Sequence, residues 1–533
     1  MTDIRLPEWR TIGDLLSAKA RQHGNATFVE VAGHALTYSE LDRRASAFAR
    51  GLRAMGVKKG DRVATFMFNA PEQLVCFFGI TRLAAIWTPV NAGLVGRDLS
   101  HTLSDSGSRI LVTDGENEEK VAALPAELLD QIEVFSTDRS SSARPFSEIE
   151  EAGTDAEDLP QVQGSDAAVI LYTGGTTGLP KGVVLSQLSF VLSGVRYGDS
   201  FEVKPGERHF TTLPLFHAAA LQFAIMGPLV NDMSSVIDRR FSASGYWSRV
   251  RETRANIIDP IGSMLVMLCD QLKEPEDTAH ALRVCIGISG QIPPEVPEQF
   301  SSRFNVPMVS IYGLTEGGGA MLTSNRLQQQ AKGSVGRPHG WVELRIAGED
   351  DQPLAPGDVG EILLRPNYPH MFMLRYHGNP EKTLENFSNL WFHTGDLGRV
   401  DDEGNLYFVG RMAHWMRRRG ENISAYEIEE TIRDIPGVTE VVVVGVPSEL
   451  GEDDVKAFII AEPGNRPTPE IIISFCQDRI AAFKVPRYIE FVDEFPRSVT
   501  KQEVERHVLK KLPNDSAWDR EREMGRLSWQ STR

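Results

Sequence analysis

A turn rich in glycine and threonine, residues 172–182, constrains this chain more than any other stretch. It follows an apolar run, residues 167–171, that predicts a short buried strand. Glycines let backbone N–H groups converge on an anion, hydroxyls add donors, and a lysine adds a full charge. Two residues separate Gly178 from Lys181, so the spacing is not that of the P-loop. We predict a polyphosphate site rather than a flexible surface turn, formed by Thr173, Gly174, Gly175, Thr176, Thr177, Gly178 and Lys181.

Length and composition limit the classes of protein that this chain can belong to. Its 533 residues are too many for one core and predict several domains. A net charge of -17 argues against nucleic acids and anionic membrane surfaces as partners. The four cysteines are scattered without metal-ligand spacing, which predicts reduced, buried thiols. No apolar run is long enough to span a bilayer and no signal peptide is evident, so we expect a cytoplasmic protein without a transmembrane segment.

Strand-like and helix-like stretches alternate through the first 330 residues. Residues 62–66, 86–90 and 109–114 each have the pattern of a buried strand. This alternation predicts an α/β fold built on parallel, doubly wound sheets. Two later strands, residues 284–290 and 308–313, end in glycine, and open α/β sheets place their ligands at such strand ends.

Residues at these strand ends are suited to bind a nucleotide. Tyr312 offers an aromatic face for adenine, and Glu316 offers a carboxylate for Mg²⁺ beside a triphosphate. Earlier in the chain, His217 follows an apolar run and precedes three alanines. A histidine in that setting is more often a packed core residue than a ligand, so the local pattern alone assigns it no function.

The last 200 residues show two further units. Strand alternation predicts a small β-subdomain over about residues 333–410, closing with a hairpin that turns at residues 402–405. Asp396 and Arg411 within it fit either a surface ion pair or a ribose site. Beyond a basic turn, three strands with intervening helices predict a compact α+β lid. The polar residues 512–533 predict a frayed tail.

Five motifs in this order resemble those of the AMP-forming acyl-CoA synthetases, the superfamily shared with nonribosomal adenylation domains and firefly luciferase. They are the turn at 172–182, His217, the stretch Tyr312 to Glu316, the pair Asp396 and Arg411, and Lys501. The chain departs from the usual pattern at Gly174, Ala413, His414 and Thr500. Residues 241–247, 417–426 and 483–488 are most similar to crotonobetaine/carnitine-CoA ligases and their relatives.

The resemblance implies an architecture and a set of site residues. It implies an N-terminal AMP-binding domain over 1–411, with two doubly wound αβ layers and a small β-barrel subdomain, and then a mobile α+β lid over 412–511. It implies ATP, Mg²⁺ and coenzyme A as ligands, with Glu316 as the metal ligand. The implied catalytic residues are Lys501, Thr315, Glu316 and His217. The further binding residues are Ser289, Gly290, Gln291, Tyr312 and Gly313 beside adenine and the acid, Asp396 and Arg411 at the ribose, and Arg417, Arg419 and Gly420 toward CoA.

The implied reaction is an ATP-dependent carboxylate–CoA ligation through acyl-AMP, with release of pyrophosphate and then of AMP. A small to medium carboxylic acid would be the substrate, and its identity is left open. Adenylation for transfer to a carrier protein or an amine shares the first half-reaction and remains an alternative. A non-catalytic nucleotide-binding homologue is a third, although Lys501, Glu316, Asp396 and Arg411 are all present. The oligomeric state is open, and a homodimer is compatible with the sequence.

Overall fold

The computed structural model describes the chain in twelve segments: residues 7–153, 159–175, 178–288, 296–324, 331–338, 340–412, 415–418, 421–448, 453–480, 482, 484–497 and 504–524. No helix in these segments combines the length and the apolar character needed to cross a bilayer.

Capped helices alternate with short buried strands in the first part of the chain. The hydroxyl of Thr37 accepts a hydrogen bond from the backbone N–H of Glu40 and thereby caps the helix that begins at Tyr38. The elements are α1 (Ile12–His23), β1 (Thr27–Val31), β2 (His34–Thr37), α2 (Tyr38–Ala54), β3 (Arg62–Phe66), α3 (Pro71–Arg82), β4 (Ile86–Val90), α4 (Gly96–Ser106), β5 (Ile110–Thr113), α5 (Glu118–Ala122), α6 (Ala126–Leu129), β6 (Glu133–Ser136), β7 (Arg144–Pro145) and α7 (Ser147–Ala152).

The alternation continues through residue 324. Here α9, a π-helical turn (Leu221–Met226) and α10 follow one another without a break, and a 3₁₀ turn (Thr315–Gly317) follows β14. The elements are β8 (Ala167–Gly175), β9 (Gly178–Ser186), α8 (Gln187–Phe201), β10 (Arg208–Thr211), α9 (Ala218–Ala220), α10 (Gly227–Val230), β11 (Ser234–Ile237), α11 (Tyr246–Thr253), β12 (Ile257–Ile258), α12 (Gly262–Cys269), β13 (Val284–Ile288), α13 (Val296–Phe304), β14 (Met308–Leu314) and β15 (Gly319–Ser324).

Two mostly parallel sheets result. The first has the order β19-β9-β8-β4-β3-β5-β6-β7 and the second the order β16-β15-β14-β13-β12-β10-β11-β1-β2, where β16 (Arg337–Pro338) and β19 (Arg375–Tyr376) lie further along the chain. In each sheet the inner strands run parallel, and antiparallel strands occupy one or both edges. The predicted α/β fold with a large N-terminal domain is confirmed.

The predicted β-subdomain is a five-stranded antiparallel sheet. Its elements are β17 (Val342–Ala347), β18 (Gly360–Pro366), α14 (Pro380–Asn386), β20 (Phe387–Ser388), β21 (Trp391–Val400) and β22 (Leu406–Arg411). The long strand β21 pairs with β18 on one side, while its two halves pair with β20 and β22 on the other. Among the described residues these pairings form an open sheet, rather than the closed barrel that the resemblance implied.

The C-terminal unit has its own sheet and its own core. Its elements are β23 (Trp415–Arg418), β24 (Glu421–Ser424), α15 (Ala425–Arg433), β25 (Val438–Pro447), β26 (Asp453–Ala461), α16 (Pro469–Gln477), β27 (Tyr488–Phe491), α17 (Arg506–Leu509), β28 (Trp518–Asp519) and α18 (Arg520–Glu523). Strands β25, β26 and β27 correspond to the three strands predicted for the lid. Buried side chains of α15, β25, β26 and α16 form one apolar cluster that also includes Met416.

The prediction of a frayed tail is wrong for residues 513–524. Strand β28 pairs with β27, and the side chain of Arg520 is 2% exposed. Its Nη1 donates to the carbonyl oxygens of Val485 and Pro486, at 3.0 Å each. The tail is held by hydrogen bonds and ion pairs and also by apolar contacts, since Ala517 is buried and Trp518 packs against the apolar cluster of the C-terminal unit.

Candidate active site

The predicted phosphate turn lies at the tip of a β-hairpin. Strands β8 and β9 are antiparallel, with Thr173 opposite Lys181 and Gly175 opposite Gly178. In a P-loop the glycine-rich turn leads from a strand into a helix, whereas here it leads into a second strand at one side of the parallel sheet. Lys181 therefore lies at the start of β9, beside the turn. Thr176 and Thr177 lie outside the described residues.

Strand β19 approaches this hairpin from the far part of the chain. It pairs with β9, and the backbone N–H of His377 donates to the carbonyl oxygen of Gly182 at 2.7 Å. A Cβ on Gly182 would lie 2.7 Å from Cγ2 of Ile170 and 3.1 Å from Cβ of His377. Glycine at position 182 is what allows β19 to pack this closely against the hairpin.

Tyr376 of β19 connects the hairpin to the predicted metal ligand. Its hydroxyl donates to Oε1 of Glu316 at 3.0 Å, and the backbone N–H of Met373 donates to the Glu316 carbonyl oxygen at 2.8 Å. Burial raises the pKa of the Tyr376 hydroxyl, and the charge on Glu316 raises it further. The hydroxyl therefore stays protonated and donates to Glu316. Sequence reasoning missed Tyr376, since no local pattern marks a tyrosine whose partner lies 60 residues away.

Glu316 is suited to hold a magnesium ion together with substrate oxygens. The hydrogen bond from Tyr376 reaches Oε1 and leaves Oε2 available. No group of three or more acidic, histidine or cysteine side chains able to hold a metal occurs in the described part of the chain. Mg²⁺ commonly uses one or two carboxylates and takes its other ligands from phosphates and water, so a single carboxylate fits this ion.

Asp396 and Arg411, which the sequence predicts at the ribose, lie beside Tyr312, which it predicts at adenine. The hydroxyl of Tyr312 donates to Oδ2 of Asp396 at 2.8 Å, and Nε of Arg411 lies 3.4 Å from Oδ1. Asp396 comes from β21, Arg411 from the paired strand β22, and Tyr312 from β14 in another sheet. Burial raises the pKa of Asp396 to about 6, against the opposing effects of Arg411 and Tyr312. The sequence-predicted pair is therefore brought together, with an added hydroxyl from Tyr312.

His217 stands immediately before a helical turn, and Thr315 is the first residue of another. His217 precedes α9, and its ring lies 4.7 Å from that of Phe216 in an edge-to-face arrangement. Thr315 begins the 3₁₀ turn that follows β14. Helix α9 packs against β15, the strand that follows this turn, so the two segments are neighbours.

Several predicted residues cannot be placed in the same way. Arg417 pairs with Asn422 through the backbone in the hairpin of β23 and β24, and Gly313 is part of β14. The remaining candidates lie outside the described residues: Ser289, Gly290, Gln291, Arg419, Gly420 and Lys501.

Comparison with known proteins bears directly on this geometry. Residues 16–376 match the family of AMP-binding enzymes, and residues 427–502 match the AMP-binding enzyme C-terminal domain. The first match alone covers more than half of the chain. This chain belongs to the AMP-binding enzyme family. The resemblance to AMP-forming acyl-CoA synthetases found in the sequence is confirmed.

Individual members of the AMP-binding enzyme family match nearly the whole chain. A feruloyl-CoA synthase from Amycolatopsis sp is 32% identical over 494 residues, which cover 92% of this chain and 97% of that protein. A crotonobetaine/carnitine–CoA ligase from Citrobacter koseri is 29% identical, covering 89% of this chain and 92% of the relative. The crystal structure of ATP-bound MatB from Rhodopseudomonas palustris is 26% identical, with a TM-score of 0.84 and coverage of 94% of this chain and 98% of that one.

Proposed function

We propose that this chain is an ATP-dependent carboxylate–CoA ligase that forms acyl-AMP and pyrophosphate, and then acyl-CoA and AMP. The observation that carries the proposal is the cluster of Tyr312, Asp396 and Arg411, which we assign to the ribose and in which Tyr312 lies four residues before the proposed metal ligand Glu316. The names of the relatives, a feruloyl-CoA synthase and a crotonobetaine/carnitine–CoA ligase, support CoA as the acceptor.

ATP binds with its ribose at Asp396 and its phosphates at the hairpin turn. The carboxylate of Asp396 accepts hydrogen bonds from the ribose hydroxyls, as acidic residues do in dinucleotide sites. Backbone N–H groups of residues 173–178 and the ammonium group of Lys181 hold the leaving phosphates. The ring of Tyr312 and the backbone of Gly313 lie beside adenine, together with residues 289–291.

Adenylation then depends on positioning and charge rather than on a covalent enzyme intermediate. A carboxylate oxygen of the acid attacks the α-phosphate in line, and pyrophosphate leaves toward Lys181. Glu316 would hold Mg²⁺, which would balance the phosphate charge, and the hydroxyl of Tyr376 fixes the orientation of Glu316. Thr315 lies beside the α-phosphate, His217 positions the acid, and Lys501 neutralises charge on the α-phosphate and the carboxylate.

Thioester formation requires a second arrangement of the C-terminal unit. We assign the N-terminal domain to residues 1–411 and the mobile lid to residues 412–511, with residues 513–524 packed on the lid. Rotation about residues 412–414 removes Lys501 and brings the hairpin that carries Arg417, Arg419 and Gly420 toward CoA. The CoA thiolate then attacks the acyl carbonyl carbon, and AMP leaves.

Pyrophosphate release measured over a panel of carboxylic acids, with and without CoA, tests this proposal. We expect sustained turnover that requires ATP, Mg²⁺, one class of acid and CoA, with acyl-CoA and AMP in equal amounts. Release that stops near one equivalent and does not respond to CoA would instead indicate adenylation for a carrier protein or an amine. Absence of release with every acid would contradict both forms of the proposal.

A further inference from the structure

Arg196 is a buried cation inside the large domain that lacks a full set of partners. It lies on helix α8, and its side chain has no solvent exposure. Nη2 donates to the carbonyl oxygen of Gly318 at 3.1 Å, whereas Nε and Nη1 are buried with no hydrogen-bond partner among the described residues. Unpaired buried donors on a charged group are costly. The site therefore holds donors for an acceptor that the described residues do not supply.

No carboxylate of the described residues neutralises Arg196. Burial alone lowers the pKa of Arg196 to about 10, whereas a neighbouring carboxylate would raise it. The next acidic residue on the same helix, Asp199, has its pKa raised by burial, with no opposing effect from an arginine. Arg196 is thus charged at neutral pH and has no acidic partner in that part of the chain.

The guanidinium of Arg196 is linked to the segment after His217 and to the segment after Glu316 through one carbonyl oxygen. The carbonyl oxygen of Gly318 also accepts a hydrogen bond from Nε2 of Gln222, at 3.3 Å. Gln222 belongs to the helical segment that begins after His217, and Gly318 lies two residues after Glu316. Gly318 has a φ of +67°, and a Cβ there would lie 1.5 Å from the Met371 carbonyl oxygen, so the position of this peptide is fixed.

We propose that Arg196 forms the far end of the acid pocket and binds a second carboxylate of the substrate, so that the preferred acids are dicarboxylic. This inference rests on the proposed function, in which His217 positions the acid. A carboxylate can accept two hydrogen bonds at once from an arginine, which satisfies the two unpaired nitrogens. An acid with a trimethylammonium group at its far end is disfavoured, because it would bring a second positive charge into the same buried space.

Matched sets of acids test the proposal with the full-length enzyme. Linear dicarboxylic acids of three to six carbons are compared with their monomethyl esters and with monoacids of equal length. In the aromatic series, 4-carboxycinnamate is compared with 4-methylcinnamate and 4-(trimethylammonio)cinnamate. We expect kcat/KM for pyrophosphate release to favour the dicarboxylic member by about 100-fold or more in at least one series. The trimethylammonium acid should be the poorest substrate.

Substitutions at position 196 connect that preference to the arginine. Arg196→Met should reduce the ratio of kcat/KM between the dicarboxylic acid and its matched monoacid or ester to about one, while leaving KM for ATP unchanged. Arg196→Lys should give a ratio between those of the wild type and Arg196→Met. Asp199→Asn, on the same helix, should keep the wild-type preference. If Arg196→Met does not fold, the thermal shift of the wild-type protein in the presence of AMP is measured instead. In that experiment 4-carboxycinnamate should raise Tm more than 4-methylcinnamate.

The inference would be overturned by a wild-type preference for the methyl or ester members, by an unchanged preference in Arg196→Met, or by equal thermal shifts with both cinnamates. Turnover of monoacids without any preference would overturn this inference and leave the proposed function intact. Absence of pyrophosphate release with every acid would overturn both.

Discussion

The carboxyl group of Asp396 has different proton affinities in the folded and unfolded protein. Its pKa rises from the ordinary 3.8 to about 6 on folding, mainly through burial. Because the folded state binds the proton more tightly, the contribution of Asp396 to stability is greatest below pH 4 and falls as pH rises to about 6. The loss is on the order of 3 kcal/mol, from the shift in pKa alone. Ionised Asp396 is therefore retained at neutral pH at the expense of stability.

Nucleotide binding should depend on pH in the opposite direction. Ribose hydroxyls donate to the ionised carboxylate, so KM for ATP should rise as pH falls through 6, by up to about tenfold per pH unit. Asp396→Asn should raise KM for ATP at pH 7. It should also remove the further rise in KM at lower pH that protonation of this carboxyl group causes. Pyrophosphate release is measured between pH 5 and 8 for the wild type and for Asp396→Asn. Titration of ATP itself affects both proteins equally. An identical acid limb in the variant would contradict the assignment.

Tyr376 should contribute to catalysis through Glu316. Tyr376→Phe removes a hydrogen bond to a charged group, and we expect kcat/KM for ATP to fall by about tenfold or more. The Mg²⁺ concentration for half-maximal activity should also change, because Oε1 of Glu316 loses its donor. Tyr368→Phe is the control, since that hydroxyl accepts a hydrogen bond from exposed Arg10. Wild-type kinetics and Mg²⁺ dependence in Tyr376→Phe would show that the hydroxyl has no such role.

At the scale of elements, the hairpin of β8 and β9 depends on a glycine for its contact with β19. Gly182→Ala would place a methyl group against Ile170 and His377. We expect a loss of about 1–3 kcal/mol in the free energy of unfolding and a higher KM for ATP. Gly245→Ala is a matched control, because the nearest atom to its Cβ is the hydroxyl oxygen of Ser242 at 3.3 Å. Chemical denaturation measures the free energy of unfolding, and equal values for Gly182→Ala and Gly245→Ala would contradict the predicted loss.

The C-terminal tail should stabilise the lid. Ending the chain after residue 512 removes β28 and the buried Arg520, whose donors reach the loop before β27. It also removes the Pro513 carbonyl oxygen, which accepts from Nζ of the fully buried Lys456 at 2.9 Å. We expect faster proteolysis within residues 415–512 and slower acyl-CoA formation. A chain that ends after residue 524 is the control, and indistinguishable proteolysis of the two chains would contradict a stabilising role.

Sequence patterns predicted the elements of secondary structure better than the contacts between those elements. Strands and the N-cap at Thr37 follow from local periodicity and residue type, and the ribose pair follows from motifs that resemble a known family. Tyr376, Arg196 and Arg520 were missed. Their partners lie 60, 122 and about 35 residues away in the chain. For Arg196 and Arg520 those partners are backbone carbonyls, which any residue can supply, so no sequence pattern identifies them.

At the scale of the molecule, the large domain and the C-terminal unit have separate interiors. Among the described residues, no apolar cluster combines residues before 412 with residues after 414. The connection between β22, which ends at Arg411, and β23, which begins at Trp415, is three residues long, 412–414. A short connection between independent cores is the arrangement that a rotating lid requires.

Ala413→Pro should separate the two half-reactions. Proline fixes φ near −65° and limits the rotation available to this connection. We expect the first equivalent of pyrophosphate to be released at close to the wild-type rate, while acyl-CoA formation falls by about tenfold or more. Ala413→Gly, which permits rotation, should keep both activities. Equal loss of both half-reactions in the proline variant would indicate a static role for residues 412–414.

The hydrogen bond between Tyr312 and Asp396 joins strands that are synthesised far apart in time. At about 5–20 residues per second, a ribosome reaches residue 396 roughly 4–17 seconds after residue 312. During that interval the nascent chain already contains the residues proposed to bind phosphate and adenine, but not the carboxylate proposed to receive the ribose. Ribose binding at Asp396 can therefore stabilise the large domain only after β21 has been synthesised.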